Sequence, residues 1–155
     1  PEIVERLVKD GHEVASLGYQ YKSYTEWEDK QIKRDILLAQ EKIKKVSGKM
    51  TSLLRPPNGN FDERVLNISE NLNHTVVHWS IDTKDWKNPG VDQIVDTATD
   101  GTKAGDIILL HASDSVKQTH KALPQIIDKL RGDGFKFVSV SEMIANTEAS
   151  SKEVN

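Results

Sequence analysis

The stretch GDIILLHAS, residues 105–113, decides how this chain is expected to fold. Its apolar run from Ile107 to Leu110 is nearly continuous, which is typical of a strand buried inside a parallel sheet. His111 ends the run. Functional groups of α/β proteins collect where parallel strands end, so His111 is predicted to be a general acid or base at that edge. The alternative is an ordinary histidine whose ring is satisfied by its neighbours.

Strand-like and helix-like segments alternate on both sides of this stretch. Four further strands are predicted, at residues 13–17, 51–54, 74–81 and 135–140. Between them, apolar spacings of three and four predict amphipathic helices over residues 2–10, 32–47, 65–72, from 91 onwards, and 123–130. This alternation predicts an α/β fold of parallel β/α units, either part of a barrel or an open doubly wound sheet. Periodicity alone does not distinguish these two arrangements.

Two local signals indicate where the long helix around residues 32–47 begins and ends. Thr25 and Glu28 have capping-box spacing, which predicts that Thr25 is its N-cap. Gly48 is expected to end it, since glycine favours the left-handed C-terminal position. Residues 147–155 are polar and are expected to form a tail after a single domain, residues 1–146.

The composition excludes several classes of partner and of functional site. The chain has 155 residues, with 36% hydrophobic residues, 29% charged residues and a formal net charge of −3. Nucleic acid or an anionic membrane is therefore not expected as the main partner. The absence of cysteine excludes disulfides, thiolate metal sites and cysteine nucleophiles. No apolar run approaches the roughly 18 residues of a membrane-spanning helix, so no membrane contact is expected within this segment.

The first residues, PEIVERLVKDG, have a helical pattern from the start of the sequence, and there is no initiator methionine. We interpret the chain as the later part of a longer polypeptide. Any signal peptide or anchor would then lie outside this sequence. The oligomeric state is left open.

Two more loops that follow predicted strands carry candidate functional residues. Arg55 lies in a stiff Pro-Pro loop and could orient a carboxylate, or it could make a structural ion pair. Asp82 and Asp85 could orient a histidine or hold a cation, and Trp86 beside them could stack on a sugar ring. The alternative for this loop is a capping aspartate and a core tryptophan.

His74 and His78 flank the predicted strand 74–81 and share one face of it. Two histidines on one face are a minimal start for a metal site. A third ligand is not evident in the sequence.

Together these motifs resemble one known family. LLRPPNGNF (53–61), HWSIDTKDW (78–86) and GDIILLHAS (105–113) are similar, in order and spacing, to the later motifs of polysaccharide deacetylases. This is the NodB-homology domain of carbohydrate esterase family 4. GHEVASLGYQY (11–21) corresponds to a segment of the type GHEIGNHTYSH. The resemblance runs from Pro1 to Ile144. The particular residues of these motifs are similar to those of the sporulation-associated branch of the family.

The resemblance implies a distorted (β/α) barrel, here incomplete at the N-terminus, that removes N-acetyl groups from chitin-like or peptidoglycan sugars. A cell-wall polysaccharide would be the partner, and the location would be extracellular or associated with the cell envelope or spore. In the family a divalent metal such as zinc polarises the amide carbonyl and activates water. The family's first motif, a TFDDG-like strand end, has no counterpart in this sequence.

The resemblance also implies roles for individual residues. His111 would be the general acid, Arg55 would orient the catalytic base, and Asp82 or Asp85 would support His111. The remaining positions would contact substrate: Trp86 and Leu109 as walls of the acetyl pocket, and Tyr21 from the preceding loop.

The chain departs from the family pattern at the metal. Leu17 and Tyr21 occupy the two positions where the family has metal-binding histidines. Leucine has no lone pair, and a neutral tyrosine hydroxyl is a poor zinc ligand. We therefore expect no metal ligands and no cofactor in this chain.

Three functional hypotheses remain. One is a deacetylase acting on cell-wall N-acetyl sugars, and the second is an inactive relative that binds cell-wall glycan or has a structural role in the spore or envelope. A fragment of an unrelated barrel glycosidase is a third, but such an enzyme needs two facing carboxylates and Asp82 and Asp85 share one loop.

Overall fold

The computed structural model describes the backbone of residues 2–153 and the side chains of residues 2–147. Its described part divides into two compact units. Unit 1 ends at His78, and unit 2 begins at Trp79. Each unit has its own hydrophobic core and is described by itself.

Unit 1 combines three helices with one short parallel strand pair. Its elements are α1 (Glu2–Lys9), a 3-10 turn (Tyr24–Glu26), α2 (Asp29–Ser47), β1 (Leu53–Leu54), a 3-10 turn (Pro57–Gly59), α3 (Glu63–Asn71) and β2 (Thr75–Val76). The register of β1 and β2 places Leu53 opposite Thr75. Ser16 adds a single parallel bridge to Leu54, on the other side of β1 from β2.

The core of unit 1 forms under α2 because the apolar stripe of this helix faces inward, as predicted. Six buried residues make up the core: Tyr24, Ile32, Ile36, Leu54, Val65 and Ile68. Gly48 ends α2 in the left-handed conformation, with φ of 70°. The prediction that Thr25 caps this helix was wrong. Residues 24–26 form their own turn, and the capping box joins Glu28 and Gln31 instead.

Unit 2 is built around a second parallel strand pair. Its elements are β3 (Ile81–Asp82), a 3-10 turn (Asp85–Lys87), α4 (Val91–Thr99), β4 (Ile108–Leu109), α5 (Thr119–Gly132) and α6 (Val140–Glu153). In this pair Asp82 lies opposite Leu109. The core packs α4 against α5 through Ile94, Val95, Ala98, Ala122, Ile126 and Leu130.

Three strand predictions need correction. Residues 74–81 form two strands rather than one, because β2 pairs with β1 whereas β3 pairs with β4. Residues 13–17 contribute only the bridge at Ser16. Residues 135–139 are not a strand, and α6 begins at Val140 and continues through the expected polar tail to Glu153.

The mixed α/β class with parallel strand pairing is confirmed within residues 2–153. In this range the strands form two separate two-stranded pairs. Helices in the same range are all too short or too polar to cross a membrane.

Candidate functional site

In unit 2, the loops after β3 and β4 bring Asp85 and His111 together. Asp85 lies in the turn after β3, and His111 follows two residues after the end of β4. Because β3 and β4 are parallel neighbours, both residues emerge at the same end of the pair. The Oδ1 atom of Asp85 lies 2.7 Å from the Nδ1 atom of His111.

The carboxylate of Asp85 is buried and satisfied by three hydrogen bonds. Besides the ring of His111, its Oδ2 atom accepts the backbone N–H of His111 and the hydroxyl of Thr119, both at 2.7 Å. Burial alone would raise the pKa of Asp85, but these hydrogen bonds favour the ionised form more strongly. The net result is a pKa below the ordinary value. Asp85 is therefore a fixed negative charge beside the imidazole.

This charge orients the ring of His111. An ionised carboxylate can only accept hydrogen bonds, so the geometry assigns a proton to Nδ1 of His111. The Nε2 atom is then the one that can receive and return a proton. The side chain of His111 is 36% exposed, so part of the imidazole is accessible from solvent.

Asp82 has a different role from Asp85. Its Oδ1 atom accepts the backbone N–H of Lys84 at 2.9 Å, closing a turn in which Lys84 has φ of 52°. Nearby, the hydroxyl of Thr83 donates to the carbonyl of Leu109 at 2.9 Å, tying the loop to β4. The structure thus places Asp85, rather than Asp82, against His111.

Trp86 and Leu109 are the expected walls of the acetyl pocket. Trp86 is 52% exposed, and the ammonium group of Lys87 lies 5.1 Å from its ring centroid. Leu109 is half-buried at the end of β4. An exposed indole in the turn that carries Asp85 is suited to stacking on a sugar ring.

Arg55 in unit 1 is held by backbone carbonyls. Its Nη2 atom donates to His78 at 3.0 Å and its Nε atom to Val77 at 3.4 Å. Burial lowers the pKa of Arg55 from its ordinary value. Pro56 and Pro57, which follow it, are both fully buried and make the loop stiff. The guanidinium is therefore held in one orientation.

The segment that follows Ser16 carries the two positions that the sequence resemblance aligns with metal-binding histidines. Leu17 is 48% exposed and Tyr21 is 63% exposed, so neither side chain is needed for the core. Their outward orientation is consistent with a binding surface at this loop. Leucine offers no ligand atom, and a neutral phenol is a weak ligand for zinc.

A buried aspartate of α2 anchors this loop. Asp35 accepts the backbone N–H groups of Tyr19 and Gln20 at 2.8 and 2.9 Å and the hydroxyl of Tyr24 at 2.7 Å. Burial, reinforced by Asp35, raises the pKa of Tyr24 well above its ordinary value. Gly18 has φ of 80°, and an added Cβ would lie 2.7 Å from the hydroxyl of Tyr24. Hydrogen bonds to Asp35 and close packing at Gly18 therefore define the conformation of this loop.

The described residues do not fit the divalent metal that the family resemblance implies. Among them, no group of three or more histidine, cysteine, aspartate or glutamate side chains is arranged to hold an ion. His74 directs its Nδ1 atom to the carbonyl of Leu72, and His78 directs its Nε2 atom to that of Gly59. Each of these rings thus contacts a backbone carbonyl.

Sequence reasoning missed two residues that organise these loops. Asp35 lies within the apolar stripe of α2, between Ile32 and Ile36, and a charge at such a position was the available signal. Thr119 is the first residue of α5, and nothing in its local sequence points to Asp85.

Comparison with known proteins places this geometry in a family. The family model "Polysaccharide deacetylase" matches residues 1–77. A peptidoglycan-N-acetylglucosamine deacetylase of Bacillus cereus is 33% identical over 147 residues, which cover 93% of this chain and 68% of that protein. Two other peptidoglycan-N-acetylglucosamine deacetylases are longer. This chain spans 54% of the length of one, from Bacillus cereus, and 30% of the length of the other, from Listeria monocytogenes.

Solved structures show the same relationship. The Bc1960 peptidoglycan N-acetylglucosamine deacetylase superposes with a TM-score of 0.88 at 28% identity, covering 92% of this chain and 68% of that one. A mutant of BA3943, a CE4 family pseudoenzyme with restored enzymatic activity, superposes with a TM-score of 0.84 at 25% identity. That match covers 91% of this chain and 51% of the pseudoenzyme.

Proposed function

The chain belongs to the polysaccharide deacetylase family, and from this premise we propose that it acts on cell-wall glycan by hydrolysing N-acetyl groups. The observation that carries the proposal is the contact between Asp85 and His111, in which Nδ1 is held and Nε2 is free to exchange a proton. Deacetylases of peptidoglycan among the relatives support the choice of substrate class.

The chemistry needs a proton at one defined atom. Hydrolysis of an N-acetyl group adds water to the amide carbonyl, breaks the C–N bond and releases acetate and an amine. The amine is a poor leaving group until its nitrogen is protonated, so an acid must stand beside it. His111 would supply that proton from Nε2, while Asp85 stabilises the imidazolium that precedes the transfer.

The other residues are proposed to bind and orient the substrate. Trp86 would stack on the sugar ring, and Leu109 would border the acetyl methyl group. Tyr21 would contact the glycan from its loop. Arg55 would orient a carboxylate, and Asp82 would maintain the turn that carries Asp85.

The wider setting follows from the same premise. We propose that residues 1–146 are the later part of a distorted (β/α) barrel domain. Its partner would be peptidoglycan or a chitin-like glycan, and its location would be the outside of the cell or the cell envelope. The high TM-scores to deacetylase structures support the barrel.

A second candidate is glycan binding without hydrolysis. Leu17 and Tyr21 favour it, because they cannot replace the two imidazoles that the family uses to hold its metal. The similarity to a CE4 family pseudoenzyme is in keeping with this candidate. Both candidates share the glycan, and they differ in whether acetate is released.

Acetate release and glycan binding, measured side by side, test the proposal. N-acetylglucosamine oligomers and peptidoglycan fragments would be incubated with the protein, with and without added zinc. If the domain hydrolyses them, His111→Ala should lower the rate by about a hundred- to ten-thousand-fold. His120→Ala, at an exposed histidine of α5, is the matched control and should leave the rate unchanged.

The outcomes separate the two candidates. Acetate release that depends on His111 supports the hydrolase. Binding without release, in the presence and absence of zinc, would replace it with the non-hydrolytic candidate. A protein that neither binds nor deacetylates any of these glycans contradicts both.

A further inference from the structure

A cavity between the loop after Ser16 and the first turns of α2 is used by none of the roles above. We call it the α2 pocket and define it by six of its lining residues: Tyr19, Gln20, Lys22, Trp27, Gln31 and Arg34. Its volume is about 530 Å³. That is within the range of roughly 300–1,000 Å³ usual for small-molecule sites.

The walls of the α2 pocket are held in place by the buried network around Asp35, which also lines it. Asp35 fixes the backbone of Tyr19 and Gln20 by two hydrogen bonds. The ring of Trp27 lies 6.1 Å from that of buried Tyr24, and Gln31 is tied to the helix start by the capping box. A preorganised wall loses little conformational entropy when a ligand binds.

Two cations reach the α2 pocket from different elements. Lys22 extends from the loop and Arg34 from α2, and both residues are exposed. Among residues 2–147, the side chains of Lys22 and Arg34 make no ion pair or hydrogen bond, whereas that of Arg64 in the same unit makes several. Lys22 and Arg34 are therefore available to bind an anionic group.

The anion of Asp35 does not neutralise this pair. Its two oxygens already accept three hydrogen bonds, from Tyr19, Gln20 and the hydroxyl of Tyr24. The carboxylate of Asp35 therefore binds the loop and Tyr24 rather than a cation of the pocket. Two cations against this one satisfied carboxylate leave the pocket with a net positive charge.

The uncharged walls favour a ring that carries amides or hydroxyls. Tyr19 is 53% exposed and Trp27 is half-buried, so both offer aromatic surface to the cavity. Gln20 and Gln31 add amide groups that can donate to hydroxyl or acetamido oxygens. Aromatic surface with amide donors is a usual combination for sugar rings.

From these features we propose that the α2 pocket binds a carboxylate-bearing N-acetyl sugar, with Arg34 and Lys22 on the carboxylate and Tyr19 or Trp27 on the ring. This rests on the proposed recognition of cell-wall glycan and narrows it. Peptidoglycan carries carboxylates on its peptide stems, and on the lactyl ether of muramic acid wherever the stem peptide is absent, whereas chitin-like oligomers carry none. The pocket would thus select peptidoglycan over chitin.

Binding measurements with four probes test the pocket. The probes are a neutral N-acetylglucosamine tetramer, a peptide-free tetrasaccharide with lactyl carboxylates, the same tetrasaccharide with these groups amidated, and a monomeric muropeptide. We expect the full chain to bind the free carboxylate forms at least about tenfold more tightly than the neutral ones. The preference should shrink as salt is added, since the cations are exposed.

Variants assign the preference to the pocket. Arg34→Gln with Lys22→Gln should abolish the preference and leave binding of the neutral tetramer unchanged. Lys33→Gln, at an exposed lysine of α2 that does not line the pocket, is the matched control. Thermal melts would show that each variant is folded, and Trp27→Phe provides a second, uncharged change that should weaken all four probes.

Each outcome bears on the proposal. If the muropeptide alone binds tightly, the stem carboxylates are the ligand; if the peptide-free form does, the lactyl group is. Equal binding of neutral and carboxylated probes, or a preference that survives in the double variant Arg34→Gln with Lys22→Gln, would overturn it. Acetate release from the neutral tetramer would stand in either case, so failure here is distinguishable from failure of the proposed function.

Discussion

The loop after Ser16 in unit 1 and the loops after β3 and β4 in unit 2 are organised in the same way. Each is anchored by one buried aspartate that accepts three hydrogen bonds. Asp35 accepts two backbone N–H groups and a phenol, whereas Asp85 accepts one backbone N–H group, a hydroxyl and an imidazole. The anchors are alike, but the groups they hold are not.

The difference lies in what the anchored loop presents. Asp85 holds the histidine for which we propose a proton-transfer role, so unit 2 presents a group that can take part in acid–base chemistry. Asp35 holds a loop whose exposed residues at the family's metal positions, Leu17 and Tyr21, are not good metal ligands. A buried anchor therefore fixes the shape of a loop without fixing its chemistry, because the anchor and the presented side chains are different residues.

The largest expected effects come from removing the two anchors. Asp35→Asn and Asp85→Asn should each lower the free energy of unfolding by about 3 kcal/mol, since an amide cannot accept all three hydrogen bonds. Chemical denaturation measures both. Glu41→Gln and Asp128→Asn, at exposed carboxylates, are the controls.

These two variants should differ at His111. Nitrogen NMR of the imidazole should show the Nδ1–H form losing its preference in Asp85→Asn and keeping it in Asp35→Asn. Equal tautomer populations in the wild type and Asp85→Asn would contradict the assignment of this ring.

A smaller effect is expected at Gly18, where close packing adds to backbone strain. Gly18→Ala should cost about 2 kcal/mol more than Gly11→Ala. Both glycines have positive φ, 80° and 86°, but only at Gly18 would a Cβ meet Tyr24 and Asp35, at 2.7 and 2.9 Å. Equal melting temperatures of the two variants would show that the loop yields easily and is not tightly anchored.

The anchor of unit 2 should also make stability sensitive to acid. Because the folded pKa of Asp85 is lowered, its stabilising contribution is complete above the unfolded value of about 3.9 and is lost as the pH falls through the folded value. Unfolding measured from neutral pH into this acidic range should show a steeper loss of stability in the wild type than in Asp85→Asn. Parallel curves would remove Asp85 as a source of acid sensitivity.

The smallest change in stability is expected when the missing imidazoles are introduced. Leu17→His with Tyr21→His replaces two exposed side chains and should alter the free energy of unfolding by no more than about 0.5 kcal/mol without metal. Zinc should then raise the melting temperature of the double variant more than that of Tyr21→His alone. Identical responses to zinc would mean that the two positions do not converge.

Much of the fold could be predicted because local patterns repeat along the chain. The apolar stripe of α2, its end at Gly48 and the strand that precedes His111 are all visible as short-range periodicity. The prediction of a strand at 135–140 was wrong, because the alternating pattern of these residues carries no information about a partner strand. The prediction of one continuous strand over residues 74–81 was wrong for the same reason, because distant residues decide which strand each part pairs with.

The features of this protein were therefore determined at two levels, the sequence and the tertiary structure. The sequence by itself determined the order of elements and the resemblance to the deacetylases, which aligns Leu17 and Tyr21 with the family's metal-binding histidines. Only the tertiary structure decided that Asp85 rather than Asp82 contacts His111, and that Asp35 anchors the altered loop. These contacts join residues far apart in the chain, and their energies depend on burial that no local pattern specifies.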